Sequence, residues 1–281
     1  MKKMIITGGK TSFIGRNLCD FYKDKYEIHT MDKWTKPQQY LENHVKPDII
    51  IHAGAEIYND DAMFQYNIER SKEILDYCRY NLIEKVIIFG SSSEYGRVSW
   101  PISEDHGLNP NTMYEATKGA VSLLAQGYSK TYDIPITLIR PFTIVGRYEK
   151  PHKFFPTLYR AARKNLPIKL APGVHDFVFI DDFLAAFDVL LNRKEEALFN
   201  VINIGSGRQT SNHEIVSVFA NTMNYLYNIE HIGKLRSFDS DHWVCNNEKL
   251  FSKYGFRNFS SIHEGVQKFV ADCDRLGLYN E

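Results

Sequence analysis

"MIITGGKTSFIG", residues Met4 to Gly15, is the stretch on which the fold of this chain turns. A short apolar run enters glycines and continues into helix-compatible sequence. Gly9, Ser12 and Gly15 fall three apart, the rhythm of a G-x-x-G-x-x-G turn with serine in the middle, and Gly8 closes the strand. The first glycine permits a tight turn at positive φ, the middle position lets backbone approach a pyrophosphate, and the last lets helix pack on strand. Ser12 adds only a small side chain there. A helix starting near Phe13 would aim its unpaired N–H groups and positive dipole end at phosphates. The same residues would also make a plain strand-to-helix turn, so the rest of the chain has to decide.

Outward from that turn, short β-branched runs alternate with longer amphipathic segments. "MIITG", "YEIHTM", "PDIIIHAG", "KVIIFGSS", "ITLIRPF" and "FNVINIG" are separated by stretches such as "DAMFQYNIERSKEILDYCRYN" and "MYEATKGAVSLLAQGYSKTY". Continuous hydrophobicity within the runs implies strands buried on both faces, as in a parallel sheet covered by helices. The pattern predicts a doubly wound α/β fold of Rossmann type. After about Gly146 the alternation loosens, and from Arg208 the chain reads as helices and short strands. We therefore expect a dinucleotide-binding domain over 1–146 and about 176–205, with a smaller substrate-binding lobe from about 147–175 and 206–281.

Composition narrows the partners. The 281 residues carry 34 basic and 34 acidic side chains, with 43% hydrophobic and 24% charged residues, a balance that argues against nucleic acid or an anionic membrane as partner. Cys19, Cys78, Cys245 and Cys273 are far apart and form no C-x-x-C pair, so neither a metal site nor a disulfide framework is expected. Lys2 and Lys3 precede an apolar run too short for a signal-peptide core, and no run approaches membrane-spanning length. A soluble cytoplasmic protein is the expectation.

Ligands of doubly wound sheets bind beyond the carboxyl ends of the strands. After the second run, "MDKW" puts Asp32 where a carboxylate can bond an adenosine ribose and repel a 2′-phosphate, which favours NAD. Lys10 and Lys33 lie nearby and could receive NADP, and Asp32 could instead be a solvated loop acid. Small residues Ala53, Gly54 and Ala55 follow the third run, and "GSSSEYG" with its three hydroxyls follows the fourth.

"MYEATK" holds Tyr114 and Lys118, four apart and so on one helical face. In a chain with 17 tyrosines such a pair arises by chance; its place after the strand ending in Ser91 to Ser93 gives it weight. Hydride exchange at a carbinol or carbonyl carbon needs a proton to move on the oxygen. Tyr114 would be the acid/base, Lys118 would lower its pKa and hold the nicotinamide ribose, and Ser91 would fix the substrate oxygen.

These motifs in this order resemble the extended short-chain dehydrogenase/reductases of the NAD-dependent epimerase/dehydratase family, which act on nucleotide sugars. The resemblance covers nearly the whole chain through the glycine turn, "PDIIIHAGA", Asn67, "FGSSSEYG", "YEATK", "RPFTIVG", "DFVFIDDFLAAF", "NIGSGRQTS" and "KLFSKYGF". It implies Ser91, Tyr114 and Lys118 as catalytic residues, with Ser92 as the fallback for Ser91. It also implies a cofactor-binding set of Gly9, Thr11, Ser12, Phe13, Ile14, Gly15, Asp32, Ala53, Gly54, Ala55 and Pro141, with Tyr114 and Lys118. The substrate would meet Ser92, Ser93, Thr143, Lys153 and Arg236. A homodimer is expected too, because in this family the helices carrying Asn67 and Tyr114 commonly form a four-helix interface.

Departures from the family pattern narrow the chemistry. The 4,6-dehydratases carry an Asp-Glu pair directly after the catalytic hydroxyl, where this chain has Ser92 and Ser93. Bifunctional epimerase/reductases have a proton-abstracting cysteine where Ser93 stands, although His152 and Lys153 lie near the place of their histidine. His175 replaces an arginine that grips the diphosphate, and Thr143 replaces an asparagine. The "GKTSFIG" turn and the short gap between Asp32 and Pro47 are similar to 4-ketosugar reductases such as dTDP-4-dehydrorhamnose reductase. The expected activity is NAD(P)-dependent oxidoreduction at C4 of a nucleotide sugar, leaning to reduction of a 4-keto-6-deoxy sugar. A C4 epimerase with tightly bound NAD and a non-catalytic dinucleotide sensor are the alternatives.

Overall fold

In the computed structural model, which describes residues 1–32, 35–44, 46–195, 197–233 and 240–280, all six apolar runs become strands of one sheet. They are β1 (Lys3–Thr7), β2 (Glu27–Met31), β3 (Ile49–His52), β4 (Lys85–Phe89), β5 (Ile136–Pro141) and β6 (Phe199–Ile204). The sheet order is β6-β5-β4-β3-β1-β2. Pairings among β1 to β5 are parallel, with Thr7 opposite both Met31 and His52. Ile136 N donates to Leu198 O at 2.8 Å and Phe142 N to Ile204 O at 2.9 Å, so β6 runs alongside β5 in the same direction. From β1 the chain goes first to one side and then to the other, which opens a crevice at the carboxyl ends of β1 and β3.

Burial on both faces explains the continuous hydrophobicity. Ile5, Ile50, Val86, Ile88 and Leu138 pack on one face against Leu75 and Val121 from the helices. The alternating residues Met4, Ile6, Ile51 and Ile87 are buried toward the other face, where Phe187 meets Tyr22 and Phe89 at ring separations of 6.2 and 5.9 Å. The helices that matter for the site are α1 (Phe13–Tyr22), α2 (Pro37–His44), α3 (Arg70–Tyr80) and α4 (Met113–Tyr132). Thr112 caps α4, its hydroxyl accepting from Glu115 N at 3.2 Å, and Asp133 ends the helix in the left-handed conformation at φ 56. Ahead of α3 the expected single helix is interrupted, because Asp60–Met63 is α-helical and Phe64–Glu69 is a π-helix.

By packing, the chain forms two units: Met1–Gly96, Glu104–Pro141 and Phe187–Asn203, then Arg97–Ser103, Phe142–Ala186 and Ile204–Glu281. Residues 176–186 group with the second unit. The second unit has its own aromatic core, in which Phe155 touches Phe177, Phe219 and Phe269 at ring separations of 5.2 to 5.6 Å. Asp176, fully buried there, gathers Ser206 N, Ser206 Oγ, Gly207 N and Cys245 N at 2.6 to 3.0 Å. All four cysteines are free and buried. Among the described residues no helix is long and apolar enough to cross a membrane.

Candidate active site

The glycine turn forms at the end of β1. Gly8 and Gly9 take φ values of 80 and 44, and Gly9–Thr11 makes a turn of 3-10 helix before α1. Ser12 is the N-cap of α1, its hydroxyl accepting from Gly15 N at 3.0 Å. The middle serine therefore has a positive task, capping the helix, beyond being small enough to tolerate. A Cβ on Gly15 would lie 2.2 Å from Gly9 O, so the last glycine is required by the turn folding back on the helix rather than by helix-on-strand packing. A Cβ on Gly54 would lie 3.1 Å from Gly8 N, so the turns after β1 and β3 meet backbone to backbone.

This cradle fits a dinucleotide. Two close-packed glycine turns, the amino end of a ten-residue helix and the acidic Asp32 one strand away are the features a pyrophosphate and a ribose need. Gly8 N donates to Met31 O at 2.9 Å, which ties the end of β2, and Asp32 after it, to the glycine turn. Asp32 Oδ1 accepts from Thr35 N at 3.0 Å and Thr35 Oγ1 at 2.9 Å, which fixes its orientation. Thr11, exposed, bonds back to Gly8 O, Phe13 and Ile14 form the first turn of α1, Ala53 and Ala55 flank Gly54, and Pro141 ends β5. Lys33 lies outside the described residues.

Ser91, Tyr114 and Lys118 converge at the carboxyl end of β4. Ser91 is the N-cap of a 3-10 turn, Ser92–Tyr95, and its hydroxyl lies 2.6 Å from Ser93 Oγ. The Ser91 hydroxyl is close enough to the Tyr114 phenol to favour its ionised form. Lys118, buried, donates to the carbonyl of Phe89, two residues before Ser91. Ser92 is buried, while Ser93 is partly exposed beside Ser91. Burial pushes the Tyr114 phenol above its usual value, opposed by the Ser91 hydroxyl. The Lys118 ammonium is turned to Phe89 O and is not among the groups acting on Tyr114. Burial instead lowers Lys118 itself to about 8, with Glu94 acting in the opposite direction.

Three further groups support this corner. Glu94, three residues after Ser91, is wholly buried and turned inward, accepting from Ser91 N at 2.6 Å, Ser122 Oγ at 2.6 Å and Arg140 Nε at 3.0 Å. His52, lowered to about 3 by burial first and Lys118 second, stays neutral between Thr7 Oγ1 and Ser71 Oγ, both at 2.8 Å. Asn67, on the π-helix, accepts from Glu56 N at 2.7 Å and donates to Thr117 Oγ1 at 3.0 Å, so it pins the loop after β3 to α4. Sequence reasoning noted Asn67 and missed the other two. The S-x-x-E spacing of Ser91 and Glu94, a capping-box signature, was the available signal.

In the second unit, Thr143 Oγ1 lies 3.5 Å from His175 Nδ1, so two departures from the family pattern are neighbours. Lys153 stands at the N-cap of the helix Phe154–Lys164, within electrostatic reach of Glu149, whose carboxyl burial pushes up to about 8. Arg236 lies outside the described residues.

The description of the NAD dependent epimerase/dehydratase family matches residues 4–205. The chain belongs to this family. It is an enzyme family whose cofactor is NAD, and the six-stranded Rossmann-type sheet is its fold. Among relatives, dTDP-D-glucose 4,6-dehydratase of Dictyostelium discoideum is 25% identical over 272 residues, 79% of this chain and 62% of that one. The low-salt glycan biosynthesis protein Agl12 of Haloferax volcanii is 29% identical over 248 residues, covering 75% of this chain and 79% of its own. A crystal structure of UDP-glucuronic acid 4-epimerase from Bacillus cereus, in complex with UDP-glucuronic acid and NAD, has a TM-score of 0.87 at 21% identity, covering 98% of this chain and 99% of that one.

Proposed function

We propose that this family member catalyses NAD-dependent oxidoreduction at C4 of a nucleotide-activated sugar, with Ser91, Tyr114 and Lys118 as its catalytic residues. The observation that supports the reading is their proximity at the end of β4, with Ser91 acting on the Tyr114 phenol and Lys118 reaching Phe89 O. Bound NAD supplies the hydride acceptor or donor. Tyr114 Oη moves the proton on the C4 oxygen, Ser91 Oγ holds that oxygen, and Lys118, whose ammonium rests on Phe89 O, would turn to the nicotinamide ribose when the cofactor binds. Elimination of water is disfavoured, because Ser92 and Ser93 offer no carboxylate and Glu94 is committed to three internal donors.

Within this reading we lean to reduction of a 4-keto-6-deoxy sugar, on the "GKTSFIG" turn and the lack of carboxylates at Ser92 and Ser93. A protonated Tyr114 serves as the donor to a 4-keto oxygen, a step that reduction and epimerisation share. The epimerase reading has support of its own in the fold shared with the 4-epimerase from Bacillus cereus. Thr143, Lys153 and Arg236 are proposed to contact the substrate, with Ser92 and Ser93. Incubation with 4-keto-6-deoxy nucleotide sugars and NADH or NADPH, beside UDP-hexoses and NAD, separates the readings. Cofactor oxidation matched to ketone loss marks a reductase; inversion at C4 without net cofactor change marks an epimerase. Absence of turnover on both sets overturns the proposal.

We also propose a homodimer through the Asn67 and Tyr114 helices. Phe64 on the π-helix is 56% exposed and Leu123 on α4 is 62% exposed, large apolar side chains on the two elements such a contact would cover.

A further inference from the structure

Among the described residues Glu94 is the most deeply buried carboxylate of the first unit, and the chemistry above gives it no task. Its two oxygens gather donors from three different elements. Ser91 N belongs to the turn that presents the catalytic hydroxyl. Ser122 lies one turn beyond Lys118 and two beyond Tyr114, on the same face of α4. Arg140 comes from β5 and passes the connection on, its second nitrogen donating to Tyr95 Oη at 2.9 Å, which in turn donates to Asn203 Oδ1 on β6 at 2.8 Å. The backbone is shaped around the carboxylate, since a Cβ on Gly90 would lie 2.5 Å from Glu94 Oε1 and within 3.3 Å of Arg140 Cγ and Ser122 Oγ.

We propose that Glu94 is a positioning residue of the active site, locking the Ser91 turn, the face of α4 that carries Tyr114 and Lys118, and β5 into one register, and placing a fixed negative charge behind the lysine. The proposal rests on the assignment of those three residues as catalytic. A buried ion pair is a poor choice for stability alone, because well-packed apolar side chains of similar volume usually do as well or better. Its presence at the meeting point of the three catalytic elements therefore points to geometry and charge. The titratable and charged groups around it are Arg140 from β5, Lys118 and Tyr114 from α4, Tyr95 from the turn and, across Lys118, His52 from β3. Burial raises the Glu94 carboxyl, opposed first by the Arg140 guanidinium and then by Ser122, Lys118 and Ser91 N; His52 is neutral at working pH, so ionised Glu94, paired with Arg140, acts to keep Lys118 charged against its burial. As a direct base Glu94 is unsuited, having no surface exposed to a substrate.

The test is Glu94→Gln in the full chain, with the Lys118 titration followed by NMR of ¹³C-labelled lysine and its signal assigned through Lys118→Met. Loss of the charge should lower the Lys118 midpoint by about one pH unit, a tenfold loss of proton affinity. The alkaline limb of kcat/KM should move the same way, with kcat falling at least tenfold and cofactor affinity little changed. A purely structural role would leave the midpoint where it is, and a wild-type midpoint in folded Glu94→Gln overturns the proposal. If that variant does not fold, Ser122→Ala decides, since it keeps the charge and cuts one tether. It should leave the Lys118 midpoint in place and speed hydrogen exchange of the Ser91 amide about tenfold; unchanged exchange overturns the tether. Neither readout needs substrate. A protein inactive on every nucleotide sugar that still shows the shift loses the functional reading and keeps this one.

Discussion

Tyr114 is held as a neutral phenol by its surroundings, and Lys118 beneath it as a cation of weakened proton affinity. Replacing Tyr114 with Phe keeps the ring and removes the proton, so turnover should fall by about 10²-fold or more with cofactor binding little changed. Steady-state kinetics beside a cofactor titration checks this, and full activity in Tyr114→Phe would remove it from catalysis. Because Lys118 is lowered to about 8, it is protonated below that pH and loses its charge above it, so kcat/KM should decline above about pH 8. Asp32 sets a further expectation: NAD(H) should bind more tightly than NADP(H) in fluorescence titrations, and a preference for the phosphorylated form would mean that a lysine dominates. The placing of Tyr114 and Lys118 on one face of α4, after the strand that ends just before Ser91, was legible in the sequence because helical spacing and strand order are local features. The pairing of Glu94, in the turn after β4, with Arg140, within β5, was not, since a lone charged residue reads as solvated until its partner from another element is known. The orientation of the Lys118 ammonium toward Phe89 O was equally beyond spacing arguments.

Among the elements, the six strands were readable because burial on both faces leaves an unbroken apolar run, which few other environments produce. The glycine turn was readable as a rhythm, but its mechanics were not. Gly15 is confined by Gly9 O, a backbone atom that cannot rotate away. Gly15→Ala should therefore cost about 1–3 kcal/mol of stability, the usual range for overpacking, and weaken cofactor binding by displacing the turn. Denaturant unfolding and a cofactor titration measure the two effects, and wild-type values of both would show that the turn yields without loss. The π-helix Phe64–Glu69 escaped the periodicity argument, because one wide turn inside a long amphipathic segment scarcely disturbs its pattern. Its consequence is local and specific, for Asn67 becomes buried and clamps the loop after β3 to α4.

At the scale of the molecule, the family and the α/β architecture were legible. Residues 176–186 carry apolar side chains that suit either core, and only the contacts assign Phe177 and Phe179 to the cluster around Phe155. Exposed Phe64 and Leu123 lead us to expect a dimer by light scattering at micromolar concentration, and a monomer would count against an interface on these helices. Replacing Leu123 with Asp should shift such a dimer toward monomer, since a charge on an apolar contact is costly to bury. The central claim, that the site changes C4 and leaves the rest of the sugar intact, is tested most directly by NMR of the sugar product. UDP-hexoses with NAD and 4-keto-6-deoxy nucleotide sugars with NADH are incubated in parallel and compared with Tyr114→Phe. The account expects a change confined to C4, as reduction of the ketone or inversion of the hydroxyl, with C5 and C6 untouched and the change lost in the variant. Loss of water between C5 and C6 of a UDP-hexose would contradict it.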